Sequence, residues 1–147
     1  MNKPNLIKKL VRYFEGNAEK LHIELAFLYG SWAVNRQRSD SDIDIAILFS
    51  DDVGSEDAVY QMIADISAEL GSVFGREINI IRLQWDFDKP MLYYNATIHG
   101  LPLYGKNKNL CAAYMSEAIS QMEDFCIFGI NWQLAAARRN LKGVSNA

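Results

Sequence analysis

The chain has 147 residues, 15 Lys+Arg against 18 Asp+Glu, a net charge of −3 and 50% hydrophobic residues. With 22% charged and 12% aromatic residues it can bury enough apolar surface to offset its ordering entropy, which excludes a disordered protein and fits one domain over residues 1–147. The slightly acidic balance supplies no basic field, which argues against polymeric nucleic acid as the main partner.

The only cysteines, Cys111 and Cys126, show no C-x-x-C spacing and no neighbouring histidine pair, so both read as reduced core or interface thiols rather than zinc ligands. Apolar runs such as Ile45 to Phe49 fall far short of the roughly 18 residues a membrane span needs. The opening MNKPNLIKKLVRYF has no uninterrupted signal-type apolar core, so the expected compartment is the cytoplasm, away from any membrane.

Leu6, Ile7, Leu10, Val11 and Phe14 recur at helical spacing with Lys8, Lys9 and Arg12 off that face, and Gly16 marks a stop; the pattern predicts an amphipathic first helix. Ile23 to Tyr29 is a compact apolar run ending in Gly30-Ser31, the composition of a buried strand entering a tight turn. Residues 32–41 are too polar and too short for a long element, and Asp42 to Phe49 predicts a second strand. Ser55 caps a predicted helix with Glu56 and Asp57 in its first turn, Val59, Met62, Ile63, Ile66 and Leu70 as its stripe, and Gly71 as its end.

Glu77 to Leu83 predicts a third strand, Asp88-Lys89-Pro90 a helix entrance leading to Gly100, and Leu101 to Tyr104 a short extended piece. From Asn109 to Leu141 the pattern is mostly helical, with Tyr114, Ala118, Met122, Phe125 and Cys126 near one face and Gly129 as a bend or break. Helices alternating with three or four strands give an α/β or α+β fold, with a core over about 20–105 and a C-terminal helical segment over about 107–142. The large side chains Tyr93, Tyr94, Tyr114, Met115, Met122, Phe125, Phe128 and Trp132 read first as core and second as partner interface, while Arg138, Arg139 and Lys142 suit a solvated helix end.

Asp42 and Asp44 are separated by one residue at the start of a strand, so the two-residue period puts both carboxylates on one face with Ile43 opposite. Two carboxylates this close repel unless a cation neutralises them, which suits Mg²⁺ shared with phosphates; an isolated D-x-D also suits an acidic turn. Ten residues separate Ser31 from Asp42. A glycine lets backbone approach a phosphate, Ser31 adds a hydroxyl, and amides opening a following short helix would complete an anion site.

The stretch GSWAVNRQRSDSDID resembles the G-S-x10-D-x-D motif of the minimal nucleotidyltransferases in the DNA polymerase beta superfamily. The likeness covers roughly Ile23 to Leu83 and is close to the antitoxins paired with HEPN toxins, the type VII arrangement. The resemblance implies that fold: a small mixed sheet with helices and a long C-terminal helical segment. It also implies transfer of AMP from ATP to a tyrosine hydroxyl of a cognate HEPN ribonuclease toxin, in a hetero-oligomer. Asp42 and Asp44 would hold Mg²⁺ or Mn²⁺ and carry the chemistry, with Gly30, Ser31, Arg38 and Ser41 at the nucleotide; Arg36 is a weaker phosphate candidate.

The sequence departs from that family in three places. Asn35 stands where relatives have glycine, a mild change because asparagine tolerates the left-handed backbone. Trp32 and Val34 replace frequent arginines. Asn79 falls where relatives place a third carboxylate; an amide can offer a carbonyl oxygen but neither negative charge nor a base. Glu77 sits one pleat repeat away, about 6–7 Å, and Asp86 and Asp88 read as turn or cap residues. Two further functions stay open: an antitoxin that neutralises by binding alone, and nucleotidyl transfer to a small molecule. His22 and His99, without a metal-binding companion, read as structural.

Overall fold

The computed structural model describes residues 1–145. The first helix, α1 (Lys3–Asn17), starts where the Asn2 side chain accepts the Asn5 amide at 2.9 Å, and buries Leu6, Leu10 and Phe14, three members of the predicted stripe. Strand β1 (Ile23–Tyr29) runs into a 3₁₀ turn at Gly30–Trp32, and β2 (Ile43–Phe49) returns antiparallel to it. Helix α2 (Glu56–Phe74) is capped by Ser55, whose hydroxyl accepts the Ala58 amide at 3.1 Å. It runs past Gly71, the expected end, because the left-handed turn falls at Gly75 (φ +64°), whose N–H closes on the Gly71 carbonyl at 2.8 Å.

Strand β3 (Ile78–Leu83) pairs parallel with β2, helix α3 (Pro90–Thr97) follows with proline in its first turn, and β4 (Leu101–Gly105) pairs antiparallel with β1. The sheet order is β3-β2-β1-β4. The chain then enters α4 (Lys108–Ser145), where the Asn107 side chain accepts the Leu110 amide at 2.7 Å. The helix continues through Gly129 without the expected break: one interior glycine costs about 1 kcal/mol, too little to end a helix of 38 residues. The result is the mixed α/β architecture that the alternating pattern predicts.

Two cores flank the sheet. On one face Leu10 and Phe14 of α1 and Val59, Ile66 and Leu70 of α2 pack with Ala26, Leu28, Ile43, Ile45 and Ile47. On the other, Tyr93 and Ala96 of α3 and Tyr114 and Ala118 of α4 cover Leu25, Phe27, Ala46, Leu48 and Leu83. Each of the larger aliphatic and aromatic side chains among them stabilises the fold by about 1.5–3 kcal/mol. Tyr114 also donates its hydroxyl to the Gln84 carbonyl at 2.8 Å, which pins the first half of α4 to the end of β3.

Farther along α4 the predicted stripe leaves the core. Met122 is half-buried, and Phe125 and Cys126 are exposed, so Cys126 is not a core thiol, whereas Cys111 is half-buried with its Sγ 3.9 Å from the Met115 Sδ. Arg138 and Arg139 are exposed as expected; the Phe128, Trp132 and Lys142 side chains lie outside the described residues. Among the described residues no helix is long and apolar enough to cross a membrane.

Gly100 joins α3 to β4 where there is no room for a side chain: an added Cβ would strike the Ala96 carbonyl and lie 2.9 Å from the Leu28 carbonyl, both backbone atoms. Gly100→Ala is therefore expected to lower stability by about 2–4 kcal/mol, read as a lower urea midpoint with an unchanged slope. A neutral result would mean that α3 can slide off β1 freely.

Candidate functional site

The site forms at the end of the sheet where β1 finishes and β2 and β3 begin. Antiparallel pairing sets Tyr29 opposite Asp44, and parallel pairing sets Asn79 beside Asp44 on the other side. Side chains alternate along each strand, so the row Tyr29–Asp44–Asn79 stands on the face that α3 and α4 cover farther along. Asp42 precedes β2 on the same face and is exposed, while Ile43 turns into the opposite core at 0% exposure.

Gly30 closes this row from β1. Its φ is +72°, a left-handed conformation that favours glycine, and a Cβ there would overlap the Asp44 Oδ2. The Gly-Ser bend and the acidic pair are thus direct neighbours. Asn79 completes the group by donating its one NH₂ to both carboxylates, at 3.3 Å to the Asp42 Oδ2 and 3.2 Å to the Asp44 Oδ1.

Burial pushes the Asp44 carboxyl above its ordinary value; the Asn79 hydrogen bond opposes the rise and the charge of Asp42 adds to it. Tyr29 is pushed up to about 12, first by burial and then by the Asp44 charge, so it stays a neutral phenol at physiological pH. The donor set, two converging carboxylates with a partial positive charge already held between them, fits one small divalent cation such as Mg²⁺. Among the described residues no three His, Cys, Asp or Glu side chains converge as a metal site.

The loop from Gly30 to Asp42 is tied down by residues with no evident chemistry. Trp32 is 2% exposed in the core, donates its indole N–H to the Ser41 carbonyl at 3.4 Å, and carries the Arg76 guanidinium 5.6 Å from its ring centroid. Arg76 also donates to the Ser41 carbonyl at 3.5 Å. Asn35, at φ +59°, adopts the left-handed backbone that its glycine-like position implies, and Lys3 of α1 donates to its Oδ1 at 2.8 Å and to the Ala33 carbonyl at 3.1 Å.

Of the predicted site residues, Gly30, Asp42, Asp44 and Asn79 come together. Ser31 follows Gly30 in the 3₁₀ turn, which spans only three residues and so lacks the length to build a helix macrodipole; the expected short helix reduces to a single turn. The Ser41 hydroxyl accepts the Arg38 amide at 2.6 Å within the loop. Arg38 is exposed, its guanidinium making no hydrogen bond or ion pair among the described residues. Arg36 is exposed as well.

Glu77 is exposed, and its carbonyl, not its carboxylate, engages β2 by accepting the Ile43 amide at 2.9 Å. Asp86 accepts the Asp88 amide at 3.2 Å and Asp88 accepts the Tyr93 hydroxyl at 2.8 Å, turn roles as expected. His22 pairs with Asp52 at 3.1 Å and His99 sits edge-on to Tyr94, both away from the site. A concavity of about 410 Å³ lies at the other end of the β1–β2 hairpin around His22, Ser50, Asp52 and Tyr104, and does not reach the acidic pair.

Tyr29 and the Lys3 tether are the residues that sequence reasoning missed. The only sequence signal for Tyr29 is its place next to Gly30 at the end of an apolar run, and none points to Lys3.

Comparison with known proteins agrees with this geometry. The family model described as "Polymerase beta, Nucleotidyltransferase" matches residues 8–109, which span all four strands and the acidic pair. A chain from a toxin–antitoxin crystal structure with AMP-PNP matches at TM-score 0.57 and 22% identity, with 100% of each chain covered. A chain from a MntA–HpeT toxin–antitoxin mutant, altered from aspartate to glutamate at two positions separated by one residue, matches at TM-score 0.57 and 21% identity, again over 100% of each chain. A chain from the tri-AMPylated Shewanella oneidensis HEPN toxin in complex with MNT antitoxin matches at TM-score 0.54 and 17% identity, covering 96% of this chain and 99% of that one. At such identities the likeness is one of fold; no curated protein matches the sequence. The family match covers well over half the chain and includes the whole sheet, and the protein belongs to the polymerase beta nucleotidyltransferase family.

Proposed function

We propose that the chain is the antitoxin of a HEPN-family ribonuclease toxin and acts as a protein adenylyltransferase, moving AMP from ATP to a tyrosine hydroxyl of that toxin. The observation that carries this reading is the contact of Gly30 with Asp44 beside Asp42, which puts a phosphate-accommodating bend and an acidic pair at one sheet end. Family membership supports the reaction class. The toxin–antitoxin complexes that share the fold, one holding AMP-PNP and one a tri-AMPylated HEPN toxin, support the nucleotide and the partner. The working assembly is a hetero-oligomer in the cytoplasm.

Asp42 and Asp44 would hold the divalent cation, Mg²⁺ or Mn²⁺, which would supply charge neutralisation of the triphosphate and polarisation of its phosphorus. Gly30 lets the backbone approach the phosphates, Ser31 and Ser41 supply hydroxyls, and Arg38, free at the loop surface, supplies a bidentate guanidinium. The tyrosine oxygen bonds to the α-phosphorus as the bond from that phosphorus to the β-phosphate breaks; pyrophosphate leaves and the phenolic proton passes to solvent. Asn79 cannot take that proton.

Incubation with ATP, Mg²⁺ and the co-encoded toxin is expected to add AMP-sized mass increments to the toxin, and Asp42→Ala or Asp44→Ala to remove them. No increment with the unaltered chain rejects enzymatic modification of that target.

The Asn79 amide favours a second reading, an antitoxin that binds nucleotide and blocks the toxin sterically. Growth rescue by Asp42→Ala would support it. Loss of rescue while the complex still forms would require the chemistry.

A further inference from the structure

Asn79 makes both of its amide hydrogens bridge the acidic pair, which uses the full donor capacity of that NH₂. The β2–β3 register sets it there: Asp44 and Asn79 are direct partners in the parallel ladder, so the amide leaves the sheet on the same face as that carboxylate and beside it. No acidic side chain can replace it. Glu77 lies before β3 with its carbonyl tied to Ile43, and among the described residues no third His, Cys, Asp or Glu joins the pair as a metal site.

Two-cation sites place their ions about 3.5–4 Å apart, and two doubly positive ions at that separation need anionic ligands on both to hold them. The triphosphate brings anionic oxygens of its own to one ion, whereas a second ion away from the phosphates would depend on the protein, which supplies two carboxylates already shared with the first and one neutral amide.

We propose that Asn79 sets the cation number of the site at one per bound nucleotide, acting first as a clamp and then as a ligand. Without cation, its NH₂ holds the two carboxylates together against their repulsion. With cation, a half-turn of the amide about its terminal torsion replaces those donors by the carbonyl oxygen, a neutral third ligand beside Asp42 and Asp44. The proposal rests on the nucleotide site described above and concerns only how many ions it holds and what Asn79 does there.

Native mass spectrometry of the full chain with Mn²⁺ and a non-hydrolysable ATP analogue counts the ions directly. The unaltered chain is expected to carry one Mn²⁺ with each nucleotide and Asn79→Asp two, with Asp42→Ala as the control for adventitious adducts. Asn79→Leu, which keeps the bulk and removes both amide functions, is expected to hold one Mn²⁺ with at least tenfold weaker affinity.

A side-chain amide spectrum supplies a second measurement: the Asn79 NH₂ resonances should move when diamagnetic Mg²⁺ and the analogue are added together, and stay in place with the analogue alone. Two Mn²⁺ on the unaltered chain, or one on both it and Asn79→Asp, overturns the proposal while leaving the nucleotide site intact. Failure of every form to bind Mn²⁺ and analogue above the Asp42→Ala level overturns the site itself, and the proposal with it.

Discussion

Asp44→Asn is expected to cut adenylyl transfer by on the order of 10³-fold, the usual cost of removing a key electrostatic group from a reacting site, while making the cation-free chain more stable near neutral pH. Both effects come from one feature. The folded state buries this carboxylate beside Asp42, and its pKa rises above the ordinary 3.8 because those surroundings favour the protonated form.

A carboxyl whose folded pKa is raised contributes stability that is fully present below its unfolded pKa and is lost as pH climbs through the folded value. At pH 7 the ionised Asp44 therefore opposes folding, and an isosteric amide removes that opposition. The group keeps some solvent contact, which screens the effect, so the gain should be modest, about 2 °C in Tm for a domain of this size. Melting curves in chelator across the acid range test the sign. The two chains should converge below pH 3.8 and separate as pH rises, and a less stable Asp44→Asn at pH 7 would contradict the account.

Gly30→Ala should cost both stability and activity. Its left-handed backbone costs a side chain about 1–2 kcal/mol. The added Cβ would overlap the Asp44 carboxylate, so that side chain must swing away from Asn79 and Asp42. A total loss of about 2–3 kcal/mol is expected, with transfer to the toxin falling by at least 10²-fold, as for a displaced catalytic group. Gly75→Ala is the informative control: that glycine also has a positive φ, +64°, but nothing lies within 4 Å of its would-be Cβ. It should show the backbone penalty and keep its transfer activity. Equal activity in the two variants would separate the Gly-Ser bend from the function of Asp44.

Much of this arrangement is legible in the sequence because its determinants are local. The 3.6-residue stripe of Leu6, Leu10 and Phe14 fixes which side of α1 is buried, and the single-residue gap between Asp42 and Asp44 fixes their common face. Asn35 is readable as a left-handed position through the motif it belongs to, in which relatives carry glycine at that place. What escapes is set by pairing between distant segments. Nothing in β1 announces that Tyr29 will stand opposite Asp44, and Lys3 reaches Asn35 only because α1 packs back across the loop.

Trp32 reads as a lost phosphate contact, yet it is the buried anchor of the motif loop, a role visible only once Arg76 and the Ser41 carbonyl surround it. The two glycines near the end of α2 are equivalent as stop signals. Packing and the positive φ at Gly75 choose between them. Glycine at 129 weakens a helix without ending it, because its cost of about 1 kcal/mol is small against a helix this long, so α4 runs on.

The sheet order also implies a sequence of events while the chain is being made. The β1–β2 ladder closes over a connection of about a dozen residues, whereas β1 meets β4 only after residue 101 has emerged. Short closures lose less entropy and form sooner. The bend and both acids can therefore take shape in a nascent hairpin, with the amide from β3 arriving next and the far edge last. Loosening that late edge, through β4 or the root of α4, would expose apolar surface to chaperones and proteases before it disturbed the acids.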